Sequence, residues 1–336
     1  RPRPRARLPA GAGTGREQRC GPGIGTQHPI HPVSKENTLN PDISGLWPAM
    51  LTPVAADGAL DTPRALAHAR HLLAQGSDGI TLFVTNAERK GLLEHLIANG
   101  IQPEQIVVTT TCSALADAID LGRHAIAQGC MRQLFMPPFY FRQPPDAGVM
   151  ASVTAVVDGI GDPRVQTGAD VYASPALSSV VFTHDSIRTL AERHRGQVIG
   201  VKDSSGSLEH GLALAKAFPQ LAILSGAEQY VAEIMRAGGS GSINGLANIA
   251  PALMARIIAN PAQVSPDDEK LVLDLLALLS LRPGLAFVNV YKTMLAEQTG
   301  DDAWLNVRAP LSPLEPEVEQ AVRAAYRAIG AALSRV

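Results

Sequence analysis

The sequence has no surplus of charge of either sign. Its 29 basic and 31 acidic residues leave a formal net charge of −2, whereas a protein that fills a nucleic-acid groove carries a basic excess. No nucleic-acid partner is therefore expected. No run of about 18 uninterrupted apolar residues occurs, which argues against a spanning helix or a membrane partner. Cysteine is scarce: Cys20, Cys112 and Cys130 are odd in number and scattered. That excludes a disulfide framework and a zinc cluster, and fits a reducing compartment, so a cytoplasmic location is expected. His68 and His71 lie three apart on one expected helix, but no further ligand stands near them. They read as a solvated helix face, and no metal is expected. The G-x-S-x-G elbow of serine hydrolases is also missing. What the chain has in quantity is apolar material, 46% of residues against 18% charged, enough for a large core.

The first forty residues differ from the rest. RPRPRARLPAGAGTGREQRCGPGIG holds Arg, Pro and Gly and almost no large apolar side chain. Such a stretch cannot bury enough surface to offset its ordering entropy, so 1–40 is expected to be a disordered arm. No apolar region follows the arginines, which argues against a secretory signal.

From Ile43 onward two patterns alternate. Short apolar runs ending in polar residues recur eight times: GLWPAMLTP, GITLFVTN, IVVTTT, QLFMPPFYF, ADVYASP, VIGVKDSS, AILSGAE and GSINGLAN. Between them lie stretches with helical spacing. In SALADAIDLGRHAIAQG, Leu115, Ala118, Ile119, Leu121, Gly122, Ala125 and Ile126 form one apolar face. Gly76, Gly100 and Gly129 close helical stretches, as left-handed C-caps require. Eight strand–helix units predict a parallel sheet closed into a (β/α)8 TIM barrel, class α/β, over 41–264. After residue 264 the pattern is wholly helical, and Ser265 stands at an N-cap position with acids following. The segment 265–336 is expected to be a C-terminal helical appendix packed on the barrel.

In such barrels chemistry sits where strands run out into the loops before helices. Lys202 ends the apolar run Val198–Val201 and is expected to point into the barrel mouth. Partial desolvation there disfavours the ammonium and leaves a nucleophilic amine, able to condense with a ketone. The bland alternative is a lysine that snorkels to solvent or pairs with Asp203. Tyr172, ending ADVYASP, could shuttle protons or simply fill the core. Tyr140, after the Pro-Pro exit of the fourth strand, could do the same or pack a loop. Thr85 and Asn86 close the second strand; they could hold a carboxylate or cap the next helix. The glycine-rich stretch 238–248 could cradle an anion or form a tight turn beside the eighth strand, and it matches neither the P-loop nor the dinucleotide fingerprint.

Four segments taken together, GVKDSSG, MPPFYFR, GLWPAMLTP and GSINGLANIAP, resemble the dihydrodipicolinate synthase/N-acetylneuraminate lyase family. The resemblance runs from about Ile43 to about Asn260 and on through the C-terminal helices. It implies a (β/α)8 barrel with C-terminal helices, a homo-oligomer (dimer or tetramer), and no metal or organic cofactor. It implies a Schiff base between Lys202 and pyruvate or a related 2-oxo acid, with an aldehyde as the second partner. By the same resemblance Tyr172 relays protons, Tyr140 reaches into a neighbouring subunit's relay, Thr85 and Asn86 hold the substrate carboxylate, and Ile243 offers it a backbone contact.

Three departures from the family pattern matter. The strand-two signature, roughly G-T-T-G-E, is here VTNAE, with Val84 in place of Gly; Val is β-branched and resists unusual backbone angles. About eight residues of the following loop are absent, and Glu88 is either the motif acid or part of the next helix. Leu177 stands near the Arg that pairs with aspartate semialdehyde, and Leu cannot supply a bidentate clamp. Asn244 occupies the place of a small hydroxyl residue. The sequence therefore predicts a Schiff-base lyase or aldolase whose second substrate is not aspartate semialdehyde. The competing expectations are an impaired or inactive relative with a truncated strand-two loop, and a phosphosugar enzyme built on 238–248.

Overall fold

Each short apolar run forms a strand and each longer amphipathic stretch a helix, in strict alternation. The computed structural model describes residues 43–82, 86–136, 139–141, 143–171, 180, 182–282 and 287–333. The stretch 1–40, expected as an arm, lies outside the described residues. The strands are β1 (Gly45–Leu46), β2 (Ile80–Leu82), β3 (Ile106–Thr109), β4 (Arg132–Phe135), β5 (Gln166–Val171), β6 (Val198–Asp203), β7 (Ala222–Ser225) and β8 (Gly241–Ser242). The helices that follow them are α1 (Thr62–Ala74), α2 (Asn86–Ala98), α3 (Leu115–Ala127), α4 (Asp146–Ile160), α5 (His184–Arg193), α6 (Leu208–Ala217), α7 (Val231–Arg236) and α8 (Pro251–Ala259). Three more complete the chain: α9 (Pro266–Ala277), α10 (Phe287–Thr299) and α11 (Pro316–Leu333).

The strands pair in parallel in the order β1-β8-β7-β6-β5-β4-β3-β2. The remaining seam, between β1 and β2, is bridged by Thr81 N donating to Pro48 O at 2.9 Å and Met50 N to Thr81 O at 3.0 Å. The sheet thus closes on itself as the expected (β/α)8 barrel, and closure leaves no edge to cap. Where β1 meets β8, Gly241 faces Gly45 and the backbones leave no room for a side chain at 241, while Gly45 is required by its φ of +88° and by the Asp78 carboxylate that a Cβ there would strike. A Cβ on Gly241 would sit 2.1 Å from the Gly45 carbonyl oxygen.

Helix ends obey local chemistry. Asp61, Thr183, Ser207 and Ser265 each accept a backbone N–H three residues on and so start α1, α5, α6 and α9. Gly76, Gly100 and Gly129 adopt φ of +95°, +93° and +87° just past α1, α2 and α3, a region that costs glycine nothing.

Apolar side chains separate by strand face. Ile80, Leu82, Ile106 and Val108 point outward against α1–α3, while Val107, Leu134, Leu224 and Ile243 point into the lumen. The three C-terminal helices join α8 in the largest cluster, around Met254, Leu275, Tyr291 and Met294. Burying a side chain of this size stabilises by about 1.5–3 kcal/mol each. Among the described residues no helix is long and apolar enough to cross a membrane.

One sequence expectation is overturned. His68 does not share a solvated face with His71; it is buried in the inward stripe of α1 with Ala65, Ala69 and Leu72. Its Nε2–H donates to Asn248 Oδ1 at 2.9 Å, and the Trp304 ring from the appendix meets it edge-on at 5.0 Å. The helical period places His68 inward, three residues after Ala65; what hides it from solvent is the appendix, which local sequence does not reveal. Burial pushes its pKa down to about 4, against the pull of the Asn248 bond.

An acid-stability prediction follows from the sign of that shift. Between about pH 6.5 and 4 the unfolded ring binds a proton that the folded ring refuses, so stability falls with pH by up to about 1.4 kcal/mol per unit. His68→Gln should be less stable at neutral pH yet show a flatter decline in urea midpoint from pH 7 to 4.5. Parallel declines in the two proteins would refute this account of His68.

Candidate active site

Lys202 is the fifth residue of β6, opposite Asp170 of β5 and Leu224 of β7. The pleat turns it into the lumen, and it is buried, with 7% exposure. On its N-terminal side the lumen is filled. A cavity of only about 10 Å³ remains there, bounded by Lys202, Val107, Leu134, Leu224 and Ile243. That volume suits a single water, so any substrate must reach the amine from the C-terminal mouth. Lys202 and Ile243 both border this small cavity.

The mouth around Lys202 is polar and tightly bonded. Ile243 N donates to Ser225 O at 3.0 Å. Ser242 Oγ donates to the same carbonyl at 2.7 Å, and Asn244 Nδ2 donates to Ser242 Oγ at 2.7 Å. Asn244 Oδ1 accepts Ala247 N at 2.9 Å, so the amide that replaces a small hydroxyl caps the short turn after β8. Across the lumen, the hydroxyl of Thr81 is buried with no hydrogen-bond partner among the described residues.

Glu228 lies just beyond β7 and is half-buried. Its Oε1 accepts Gly245 N at 3.1 Å and Leu246 N at 3.2 Å, and Tyr291 Oη approaches it at 3.4 Å. Burial raises the Glu228 pKa, while these backbone donors and the charge of Lys202 pull it back. The donors that a phosphate would need on the 238–248 stretch are thus already taken by a carboxylate of the chain. This overturns the anion-cradle reading. Sequence inspection passed over Glu228, although an acid placed directly after the AILSG strand exit was a usable signal.

Asp203 follows Lys202 and points the other way, to the helix layer. His210 Nδ1 stands 3.1 Å from its Oδ1, and Ser205 N donates to the same oxygen at 3.0 Å. Burial pushes Asp203 up, but the His210 and Ser205 hydrogen bonds outweigh it and hold the carboxyl below its usual range. The bond to Asp203 raises His210 against its own burial. Lys202 therefore does not share Asp203 as an ion-pair partner on its own face of the strand.

The other candidates divide. Tyr140 is 77% exposed and stacks edge-on with Phe141 at 5.3 Å. Asn86 does not close the second strand: β2 ends at Leu82 and Asn86 opens α2. The helical spacing of α2 already begins at this residue, and 83–85 lie outside the described residues. Glu88 belongs to the first turn of α2 and is bidentate with Arg308 at 2.5 and 2.6 Å. Thr85, Val84, Tyr172 and Leu177 lie outside the described residues. Among the described residues no group of three His, Cys, Asp or Glu side chains could hold a metal ion.

Comparison with known proteins converges on one group. A model described as the dihydrodipicolinate synthetase family matches residues 42–329. The chain belongs to this family. An uncharacterized DapA-like lyase of Chloroflexus aurantiacus is 33% identical over 301 residues, covering 85% of this chain and 96% of that protein. A 4-hydroxy-tetrahydrodipicolinate synthase of Rhizobium meliloti is 28% identical over 304 residues, covering 85% and 98%. The crystal structure of dihydrodipicolinate synthase from Agrobacterium tumefaciens superposes with a TM-score of 0.77 at 32% identity, covering 85% of this chain and 99% of that one.

The Asp203–His210 pair gives a pH prediction. A raised His210 contributes stability that is complete below its unfolded value near 6.5 and is lost as pH rises through the folded value. A lowered Asp203 contributes above about pH 4 and loses its part as pH falls further. His184, whose ring centre is 6.3 Å from that of His210, is the other titratable ring facing it. The urea midpoint of wild type minus that of His210→Asn should be largest near pH 5 and shrink by pH 8.5. A difference constant with pH would rule out the pair as its source.

Proposed function

We propose that the protein is a Schiff-base-forming lyase or aldolase acting on pyruvate or a related 2-oxo acid. The observation that carries the reading is Lys202: a buried lysine on β6 facing a lumen that is filled on its N-terminal side, in a chain of this family. The neutral Nζ attacks the keto carbon, the carbinolamine loses water, and the iminium gives up a proton to form an enamine. The enamine then adds to an aldehyde, or forms when the reverse cleavage releases one. Tyr172 relays protons, Thr85 and Asn86 orient the carboxylate, Ile243 offers it a backbone contact, and Tyr140 serves a neighbouring subunit of a homo-oligomer. No metal or organic cofactor is needed for these steps. Leu177 supplies no charge for a second carboxylate, so the aldehyde is not aspartate semialdehyde.

The sequence of the second strand's exit favours a second reading, an impaired relative: VTNAE runs straight into RKGLLEHL, about eight residues short of the family's usual loop.

Borohydride reduction with pyruvate separates the two. The first reading expects one reduced pyruvate on Lys202, none on Lys202→Ala, and a loss of aldol turnover on the order of 10⁴-fold or more in that variant. The second expects an adduct only after a family-length loop with Gly at position 84 is restored. Folded wild-type protein that stays unmodified at saturating pyruvate sinks the first reading.

A further inference from the structure

We infer that His210 is a positioning residue for Lys202, acting through the Asp203 carboxylate and the circuit of hydrogen bonds that the β6–α6 connection forms around it. The inference rests on the 2-oxo-acid reading above and concerns the same lysine.

Lys202 and Asp203 are the last two residues of β6. Their side chains leave the strand on opposite faces, the amine into the lumen and the carboxylate toward α6. One peptide joins them, so whatever fixes Asp203 also fixes the direction in which Lys202 leaves the strand. Asp203 is buried and held at three points. Its Oδ1 accepts Ser205 N at 3.0 Å and has His210 Nδ1 3.1 Å away. Its carbonyl accepts Gly226 N from the β7 exit at 2.6 Å.

The connection then closes on itself. Ser207 N donates to Ser205 Oγ at 3.2 Å, and His210 N donates to Ser207 Oγ at 3.2 Å. The imidazole of His210 brings the run back to Asp203. The β7 exit lies hard against this circuit: a Cβ on Gly226 would come within 2.5 Å of Ser204 Oγ and 3.0 Å of the Asp203 carbonyl oxygen. Starting α6 does not require all of this. Ser207 by itself suffices as the cap, as Thr183 and Ser265 do for α5 and α9. A buried carboxylate is costly unless it is well bonded, and this one sits beside the residue that carries the proposed chemistry. Without the clamp, Lys202 would stand one residue from a loose strand end, where local opening is easiest.

His210 is the adjustable member, because its half-buried side chain can exchange protons with solvent. A charge-assisted bond is about twice as strong as a neutral one, so the clamp is tightest while the imidazole is protonated. The bond to Asp203 holds that proton to higher pH than usual. Three other charged or titratable groups stand around the imidazole. His184 of α5 has its ring centre 6.3 Å away, Arg188 of the same helix lies 5.8 Å from the Phe218 ring that His184 also meets, and Glu209 precedes His210 on α6.

The test is the rate of adduct formation at saturating pyruvate, trapped with cyanoborohydride well below the melting temperature. His210→Ala should be slower by about 10-fold or more at pH 6, since small misplacements of a reacting group carry large rate costs, with half-saturating pyruvate nearly unchanged. The ratio of wild type to His210→Ala should shrink by about threefold or more by pH 8.5, where the charge-assisted bond is lost; other ionisations are common to both proteins and cancel. His210→Gln, whose amide donates at any pH, should recover most of the rate and keep a constant ratio to His210→Ala. Ser265→Ala, which removes the corresponding cap from α9, should lower the melting temperature and leave the saturated rate alone. If His210→Ala lowers only the melting temperature, or if the wild-type ratio is flat with pH, the circuit serves stability alone and the inference is overturned. If wild type forms no adduct at all, the 2-oxo-acid reading has failed first and takes this inference with it.

Discussion

Barrel closure is the constraint on which the rest depends. Here the seal between β1 and β8 brings the backbones so close that only the missing side chain of Gly241 leaves room for the Gly45 peptide. Once sealed, every strand delivers its last residues to one rim and its inward side chains to one narrow lumen. Val107, Leu134, Leu224 and Ile243 fill that lumen from below. A lysine on the next layer is then left with apolar neighbours beneath it. The same position on an open sheet would let the long side chain snorkel to water.

The rim is rigid because its polar groups bond each other in place of water. Glu228 occupies two backbone donors after β8, Asn244 caps the turn, and Asn248 serves four partners. Asn248 Oδ1 accepts Leu51 N and the His68 ring, while its Nδ2 donates to the carbonyls of Ala49 and Gly245. A buried amide with all its capacity used ties the β1 exit to the β8 exit. Leaving any of these groups unpaired would cost about 1–3 kcal/mol. The appendix takes part in this rim through Tyr291, Trp304 and Arg308, so the C-terminal helices brace the site as well as covering α8.

The fold was legible because its signals are local. The short apolar run in VIGVKDSS, the period of 3.6 in SALADAIDLGRHAIA, Ser265 at a cap and glycine after α1, α2 and α3 all act within a few residues. The lysine was legible for the same reason: it ends a buried strand. What escaped were interactions between distant segments. His68 looked solvated until Trp304 covered it. Glu228 was only an acid after a strand until the β8 turn presented its amides. Nothing near Glu88 in sequence announced Arg308, 220 residues away. Asn86 was misplaced by a different error. The run GITLFVTN reads as strand to its end, but a helix that starts at Asn86 claims that residue first.

Segments far apart in sequence fix the two described sides of the β2 exit. β2 is held by pairing to β3 and by Thr81 at the β1 seam. The first turn of α2 is held by Glu88, whose two carboxylate oxygens take the fork of Arg308, and by Arg89, which donates to the carbonyl of Thr109. A bidentate pair fixes orientation as well as charge, so the start of α2 is set by the appendix and by the barrel rim, neither of which is its neighbour in sequence.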